Sequence, residues 1–325
     1  MITKFFALTL TLSSVIHLYS MEESVSTSGA EVLIKAVREG KTALVQCFIE
    51  QGVDVNNRNH HGSTALHEAA LKTKSHPKMS LNHSHAQVEE QTKLYNFINE
   101  QKLVIAQILI QAGADINKQD TSRSTPLINA SSSGNEPVAR LLLQQSGILV
   151  NIQGANGNTA FEWALLNHHY NIIDLIMNHP SFVLHSSSPY DSSTVLHLAA
   201  ARGEHEIVEK LLKISQGSVN TKNREGNTPL HLAAIAGRDK VVAVLIKDSF
   251  IDTQNNKGNT PLHEAILGTH VAVVSMLLDA GARTDSKNNT SLTAVELATQ
   301  QVGYFDWAIN RSRRSIWLLL LAKRP

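Results

Sequence analysis

The chain has 325 residues, 42% of them hydrophobic and 18% charged, an ordinary composition for a folded protein and long enough for about two domains. Its 29 Lys+Arg against 28 Asp+Glu leave a formal charge of +1, which excludes a surface built to hold a nucleic-acid backbone electrostatically. The single cysteine, Cys47, excludes an internal disulfide and any cluster of thiolate metal ligands.

In residues 1–20, Lys4 precedes the apolar run Phe5-Phe6-Ala7-Leu8, and a small residue, Ser20, ends the segment. That order is the pattern of a secretory signal peptide and predicts export, although Leu18 stands where a smaller residue is usual. Translation from Met21 would instead leave the protein in the cytoplasm. The apolar run is too short and too interrupted to span a membrane. Residues 21–29 read as a polar linker.

Apolar residues at helical spacing then predict helices over 31–38 and 42–50, with Cys47 on the buried stripe of the second. Ser63-Thr64-Ala65-Leu66-His67-Glu68-Ala69-Ala70 opens a shorter helix, which Thr64 caps and in which alanines let a neighbour approach closely. Between Leu71 and about Gln101 the chain departs from the pattern of its later stretches. Residues 72–80 read as loop, and the stretch through Val88, Leu94, Phe97 and Ile98 reads as helix running into 103–111. Thr125-Pro126-Leu127 opens the next short helix, with Pro126 at the first helical position, where no N–H is needed. Helix 138–144 follows it. The same sequence of events starts at Thr159, Thr194, Thr228 and Thr260, each followed by a second helix, at 171–178, 204–213, 239–247 and 271–279. A weaker copy starts at Thr293 and continues over 304–310. Trp163 is expected in the core. Arg123, Ser192 and Ser291 replace the glycine found before the other threonines, and their units are expected to be looser.

The threonines at 64, 125, 159, 194, 228, 260 and 293 are separated by 61, 34, 35, 34, 32 and 33 residues. The repeated motif is fullest in Gly226-Asn227-Thr228-Pro229-Leu230-His231-Leu232-Ala233-Ala234. A period near 33 carrying T-P-L-H-x-A resembles the ankyrin-repeat family, over roughly residues 30–311. The resemblance implies an all-α solenoid of stacked helix–turn–helix units with β-hairpin loops, about eight units counting two degenerate caps. The spacing of 61 exceeds the period by 28, which places an insertion over about 72–100, inside the second unit. It further implies that His67, His197, His231 and His263 are structural, tying each hairpin to the next.

The resemblance implies a protein or peptide partner on a concave face made by hairpin tips and first helices. The family's variable contact positions fall here on His60, His61, Thr121, Ser122, Asn156, Tyr190, Asp191, Arg202, Arg224, Glu225, Asn256 and Lys257. Tyr190 and Arg202 are the best anchors by residue type. First-helix positions such as Ile235 and Leu267 belong to the same face.

Catalytic chemistry finds no motif: there is no phosphate loop, nucleophile elbow or kinase set, so no enzyme, cofactor or catalytic residue is expected. His67-Glu68 and His263-Glu264 lack the second histidine of a zinc-protease helix. His76, His83 and His85 in the insertion match no ligand spacing, and no metal site is assigned; metal-dependent activity there is the least favoured alternative. A monomer is expected, either as a general interaction scaffold or as an exported protein of a host-associated microbe engaging a host protein. Residues 312–325 set basic residues before an apolar run too short to cross a bilayer. They read as a helix closing the end of the array, with weak membrane-surface contact as the alternative.

Overall fold

The computed structural model describes residues 29–73, 85–183, 192–214, 219–301 and 311–322. The signal-like segment 1–20, the linker up to residue 28, residues 74–84 of the insertion, Tyr190, Asp191 and the expected helix 304–310 lie outside the described residues. The chain divides into two compact units, Met1–Val183 and Leu184–Pro325. Among the described residues there is helix and loop but no strand.

The first unit contains α1 (Gly29–Arg38), α2 (Thr42–Glu50), α3 (Ala65–Ala70), α4 (His85–Gln111), α5 (Pro126–Ser133), α6 (Glu136–Leu143), α7 (Ala160–Leu166) and α8 (Tyr170–Met177). The second contains α9 (Val195–Arg202), α10 (His205–Ile214), α11 (Pro229–Ile235), α12 (Asp239–Leu245), α13 (Pro261–Leu267), α14 (Val271–Asp279), α15 (Ala294–Gln301) and α16 (Arg311–Ala322). The short first helices begin where the threonines predict. The Thr125, Thr228 and Thr260 hydroxyls accept from the amides of Ile128, His231 and His263, and proline fills the first turn of all three helices.

Within each unit, first helices stack on first helices and second helices on second. In the first unit α1, α3, α5 and α7 form one layer and α2, α4, α6 and α8 the other; the second unit repeats this with α9 to α16. Ala69, Ala130, Ala164, Ala199, Ala233 and Ala265 are fully buried between the layers, where a larger side chain would hold neighbouring helices apart. No pair of helices hides its own apolar face; the next pair along does so. α16 packs on α14 and α15, burying Ile316 and Leu320 and leaving Leu318 exposed.

The expected β-hairpins are tighter than strands. Each described tip is closed by two backbone bonds, such as Asn223 N–H to Asn227 O and Gly226 N–H to Asn223 O, both at 2.9 Å. Neighbouring tips are joined by one more, such as Asn256 N–H to Glu225 O at 3.0 Å, which is too few rungs for a ladder. Two further expectations need correction. Cys47 is half-buried, not enclosed, with its Sγ accepting from Gln51 Nε2 at 3.4 Å. Trp163 is likewise half-buried, because it lies on the first helix's partly open side while Phe161 takes the core position.

The positions that lack glycine take the same backbone conformation as those that have it. Arg123, Ser192 and Ser291 hold φ values of 55°, 55° and 61°, the left-handed conformation that Gly226 and Gly258 adopt at the same point of their repeats. A Cβ on Gly226 or Gly258 would meet the amide nitrogens of Asn256 and Asn289 at 2.7 and 2.6 Å. At Arg123 the same inter-tip bond is kept, from Ala155 N–H to Ser122 O at 2.9 Å, with a backbone that remains strained. Arg123→Gly is therefore expected to raise the stability of the first unit by up to about 1 kcal/mol, relief of strain outweighing the added freedom of the unfolded chain. Urea unfolding of the two proteins side by side checks this, and a lower midpoint for the variant would refute it.

The insertion changes how one helix end is satisfied. In regular units the turn after the first helix returns a backbone N–H to it, as Asn135 N–H to Ala130 O and His270 N–H to Ala265 O. The following unit adds side-chain donors: Asn135 Nδ2 to Ala70 O, Arg238 Nε to Ala201 O and His270 Nε2 to Ile235 O. After α3 the tight turn is gone, and α4 arrives as one continuous helix of 27 residues. Lys102 supplies, from within α4, a donor to Leu71 O, the carbonyl equivalent to the Ala201 O and Ile235 O that Arg238 and His270 of the following units reach. Its ammonium lies 2.9 Å from Leu71 O and 3.6 Å from the Glu68 carboxylate, and its side chain is 2% exposed.

Candidate protein-binding surface

Five of the hairpin tips are shaped by a side chain to which the sequence motif assigns no role. Asn59, Asp120, Asn223, Asn255 and Asn288 stand five residues before their threonines, and each Oδ1 accepts two backbone amides of its own tip. This is an Asx turn, and the recurrence of Asn or Asp at that offset was its signal. Tips are then tied together. The Thr121 hydroxyl donates to His61 O at 2.7 Å, Asn256 Nδ2 to Arg224 O at 2.9 Å and Asn289 Nδ2 to Asn256 O at 2.9 Å.

The motif histidines lock the next level. In His67, His197, His231 and His263 the Nδ1 atom accepts the amide of the capping threonine, and Nε2 faces a carbonyl of the following tip. Those carbonyls belong to Ser124, Asn227, Asn259 and Leu292, at 2.9, 2.9, 3.0 and 3.3 Å. An Nδ1 that accepts and an Nε2 that donates define one neutral tautomer. Burial disfavours the charged form, lowering the pKa of His67 and His263 and taking that of His231 to about 4. Ile128 and Glu162 take the histidine's place in two repeats; the Glu162 carboxylate accepts the Thr159 amide and completes a capping box.

This framework sets the candidate contact residues at the tips. In the first unit His60, His61, Thr121, Ser122 and Asn156 are exposed. His60 Nδ1 lies 3.2 Å from Glu31 Oε1, and its ring is tilted against His61 at 3.8 Å. In the second unit Arg224, Glu225, Asn256 and Lys257 are exposed, while Arg202 is half-buried at the end of α9. Thr121 and Asn256 carry structural bonds between tips, and Glu225 Oε2 accepts from Asn227 Nδ2 at 3.0 Å. Arg224, Lys257 and Asn156 project from the tips as exposed polar groups.

The family model for ankyrin repeats (3 copies) matches residues 94–187 and 196–288 of the chain. The chain belongs to the ankyrin-repeat family. It is 30% identical over 148 residues to Rabankyrin-5 of Mus musculus, covering 42% of this chain and 12% of that protein. It is 29% identical over 149 residues to a putative ankyrin repeat protein of Fowlpox virus, covering 44% of this chain and 43% of that protein. The chain thus matches less than half the length of either relative.

Two features of this ankyrin array stand out beyond the tips. Ile235 and Leu267 end stacked first helices α11 and α13 at equivalent positions and are 41% and 43% exposed, an apolar pair on the face that Arg202 also borders. In the first unit, a cleft of about 370 Å³ lies at the inner turns, lined among others by Lys72, Glu136, His168 and Tyr170. There Glu136 accepts from Arg140 at 2.7 Å and from Asn171 at 2.8 Å, bonds that lower its pKa. Among the described residues no three His, Cys, Asp or Glu side chains gather as metal ligands, and no helix is long and apolar enough to cross a membrane. Of the histidines considered for a metal in the insertion, His76 and His83 lie outside the described residues.

Proposed function

We propose that the chain is a non-enzymatic scaffold that binds a protein or peptide along its tips and first helices. Ankyrin repeats generally mediate protein–protein interaction, and the match to that family covers more than half of this chain. The observation that carries the reading is the Ile235–Leu267 pair. These two apolar side chains stand open at equivalent positions of stacked helices, near Arg202 and tips bearing Arg224, Glu225 and Lys257. An apolar centre with a polar, mixed-charge rim is the anatomy of a protein interface. Tyr190 and Asp191 remain part of the proposed surface on sequence grounds alone.

The test is affinity capture with the intact chain, comparing it with an Ile235→Glu/Leu267→Glu variant. Both side chains are exposed, so the melting temperature is expected to stay within about 2 °C, while recovery of the partner falls at least about tenfold. Equal recovery by a folded variant would remove this face from the function.

A narrower version is that the partner is a host protein met after export. It rests on the signal-like order of residues 1–20. N-terminal sequencing of the mature protein separates the cases: a new terminus near residue 21 after export supports it, and retention of residues 1–20 removes its basis.

A further inference from the structure

We propose that α16 does more than cover its neighbours, and that its outer side is a contact site for an anionic phospholipid surface. The inner side packs on the stack: Ile316 and Leu320 are 2% and 0% exposed against α14 and α15. The opposite side carries Arg314 and Leu318, both exposed, with Trp317 and Leu321 half-buried along its edge. Leu318 is 50% exposed. A helix that served the stack alone would turn a polar side to water, as capping elements of repeat arrays do to stay soluble.

Charge selects the occupant. Five of the chain's 29 Lys+Arg fall within residues 311–324, at Arg311, Arg313, Arg314, Lys323 and Arg324, and none of its 28 Asp+Glu does. The rest of the chain, with 24 against 28, is acidic, so positive charge is gathered in this one segment. Arg311, Arg313 and Arg314 belong to the first turn of α16, where no acidic residue accompanies them. The backbone dipole already has its positive end there, so these cations do not stabilise the helix; they favour an anion outside it.

The order of residues selects lipid over an acidic protein. Cations, then tryptophan and leucine, then cations again is the arrangement of a segment that lies at the boundary between headgroups and acyl chains. Basic side chains meet the lipid phosphates, while the indole and the leucines enter beneath them. A bilayer supplies the anionic and the apolar layer together, and no groove has to match the helix. With 12 residues α16 is about 18 Å long, enough to lie along such a surface and too short to cross it. The surface shares no residue with the tips or with Ile235 and Leu267, so failure of the scaffold reading leaves this proposal standing.

The test is co-sedimentation of the full chain with vesicles of phosphatidylcholine alone and of phosphatidylcholine with about one-third phosphatidylserine. The chain is expected to partition at least about tenfold more strongly onto the anionic vesicles. Arg311→Gln/Arg313→Gln/Arg314→Gln is expected to remove most of that preference; it takes cations away from a helix N-terminus, so α16 is expected to stay folded. Leu318→Ser is expected to weaken partition roughly fivefold with the melting temperature unchanged, since the side chain is exposed. No partition onto anionic vesicles, equal partition onto both kinds, or partition that survives the arginine variant would overturn the proposal. Full retention by Leu318→Ser would overturn it too, because charge alone would then account for the contact. Capture of a glutamate-rich peptide by the same arginines, without partition onto vesicles, would overturn it in favour of an acidic protein.

Discussion

Between pH 6.5 and about pH 4 the second unit is expected to lose roughly 3 kcal/mol of stability through His231 alone. Its ring is fully buried; Nδ1 accepts the Thr228 amide and Nε2 donates to Asn259 O, so the folded protein needs the neutral form. A proton on Nδ1 would face the Thr228 N–H and break the cap of α11. The unfolded chain has no such restriction and takes up its proton near the ordinary value of 6.5. The folded pKa is thus the lower one, and the histidine's contribution is complete above 6.5, declines as the pH falls, and levels off below about 4. Burial displaces His263 in the second unit and His67 in the first in the same direction, so acid weakens both units. The lowered carboxylates of Asp285 and Glu296 act in a more acidic range, below their ordinary values of 3.8 and 4.5. Urea unfolding at pH 7, 6 and 5 should show a steady fall in midpoint. A His231→Phe variant should be weaker at pH 7, having lost both bonds, yet decline less steeply with acid. A midpoint that does not move between pH 7 and 5 would sink this account.

Lys102→Met is expected to cost the first unit about 3 kcal/mol, near the value for breaking a buried ion pair on one side. Burial lowers the lysine's pKa, and the nearby Glu68 carboxylate opposes that shift. The ammonium is closer to the Leu71 carbonyl than to Glu68, so the larger share of the loss is a helix end left without a donor, since Asn135 of the following unit reaches only Ala69 O and Ala70 O. Glu68 keeps Arg38 at 3.3 Å, an exposed partner that holds its charge but does not reach Leu71 O. Glu68→Leu added to Lys102→Met should therefore recover only part of the loss. Thermal unfolding of the single and double variants measures both effects. A single variant within about 0.5 kcal/mol of the parent would show that the lysine is incidental to the insertion.

The repeat was legible because its physics is local. A threonine that caps, a proline that fits the first turn and paired alanines recur at a fixed period, and α5, α7, α9, α11 and α13 begin where those residues predict. The structural role of the motif histidines came from the same resemblance, and the bonds are present in all four. Other features were hidden because they depend on residues distant in the chain. The tip asparagines stand outside the repeat motif, and only the folded tip brings their Oδ1 to the amides two and four residues on. Arg123 looked like a defect, yet its tip takes the same left-handed conformation and keeps the bond from Ala155 N–H, 32 residues on, to Ser122 O.

Sequence by itself determined the kind of fold, the length of its repeat and the place of its one long insertion, since capping and apolar periodicity are written within a few neighbouring residues. Tertiary structure alone decided which side chains the stack leaves open. Ile235 and Leu267 carry the same apolar signal as the buried Leu230 and Leu262, and Lys102 reads like any surface lysine. Exposure is a property of what lies alongside, and in a stacked fold the neighbour is contributed by a repeat some thirty residues away.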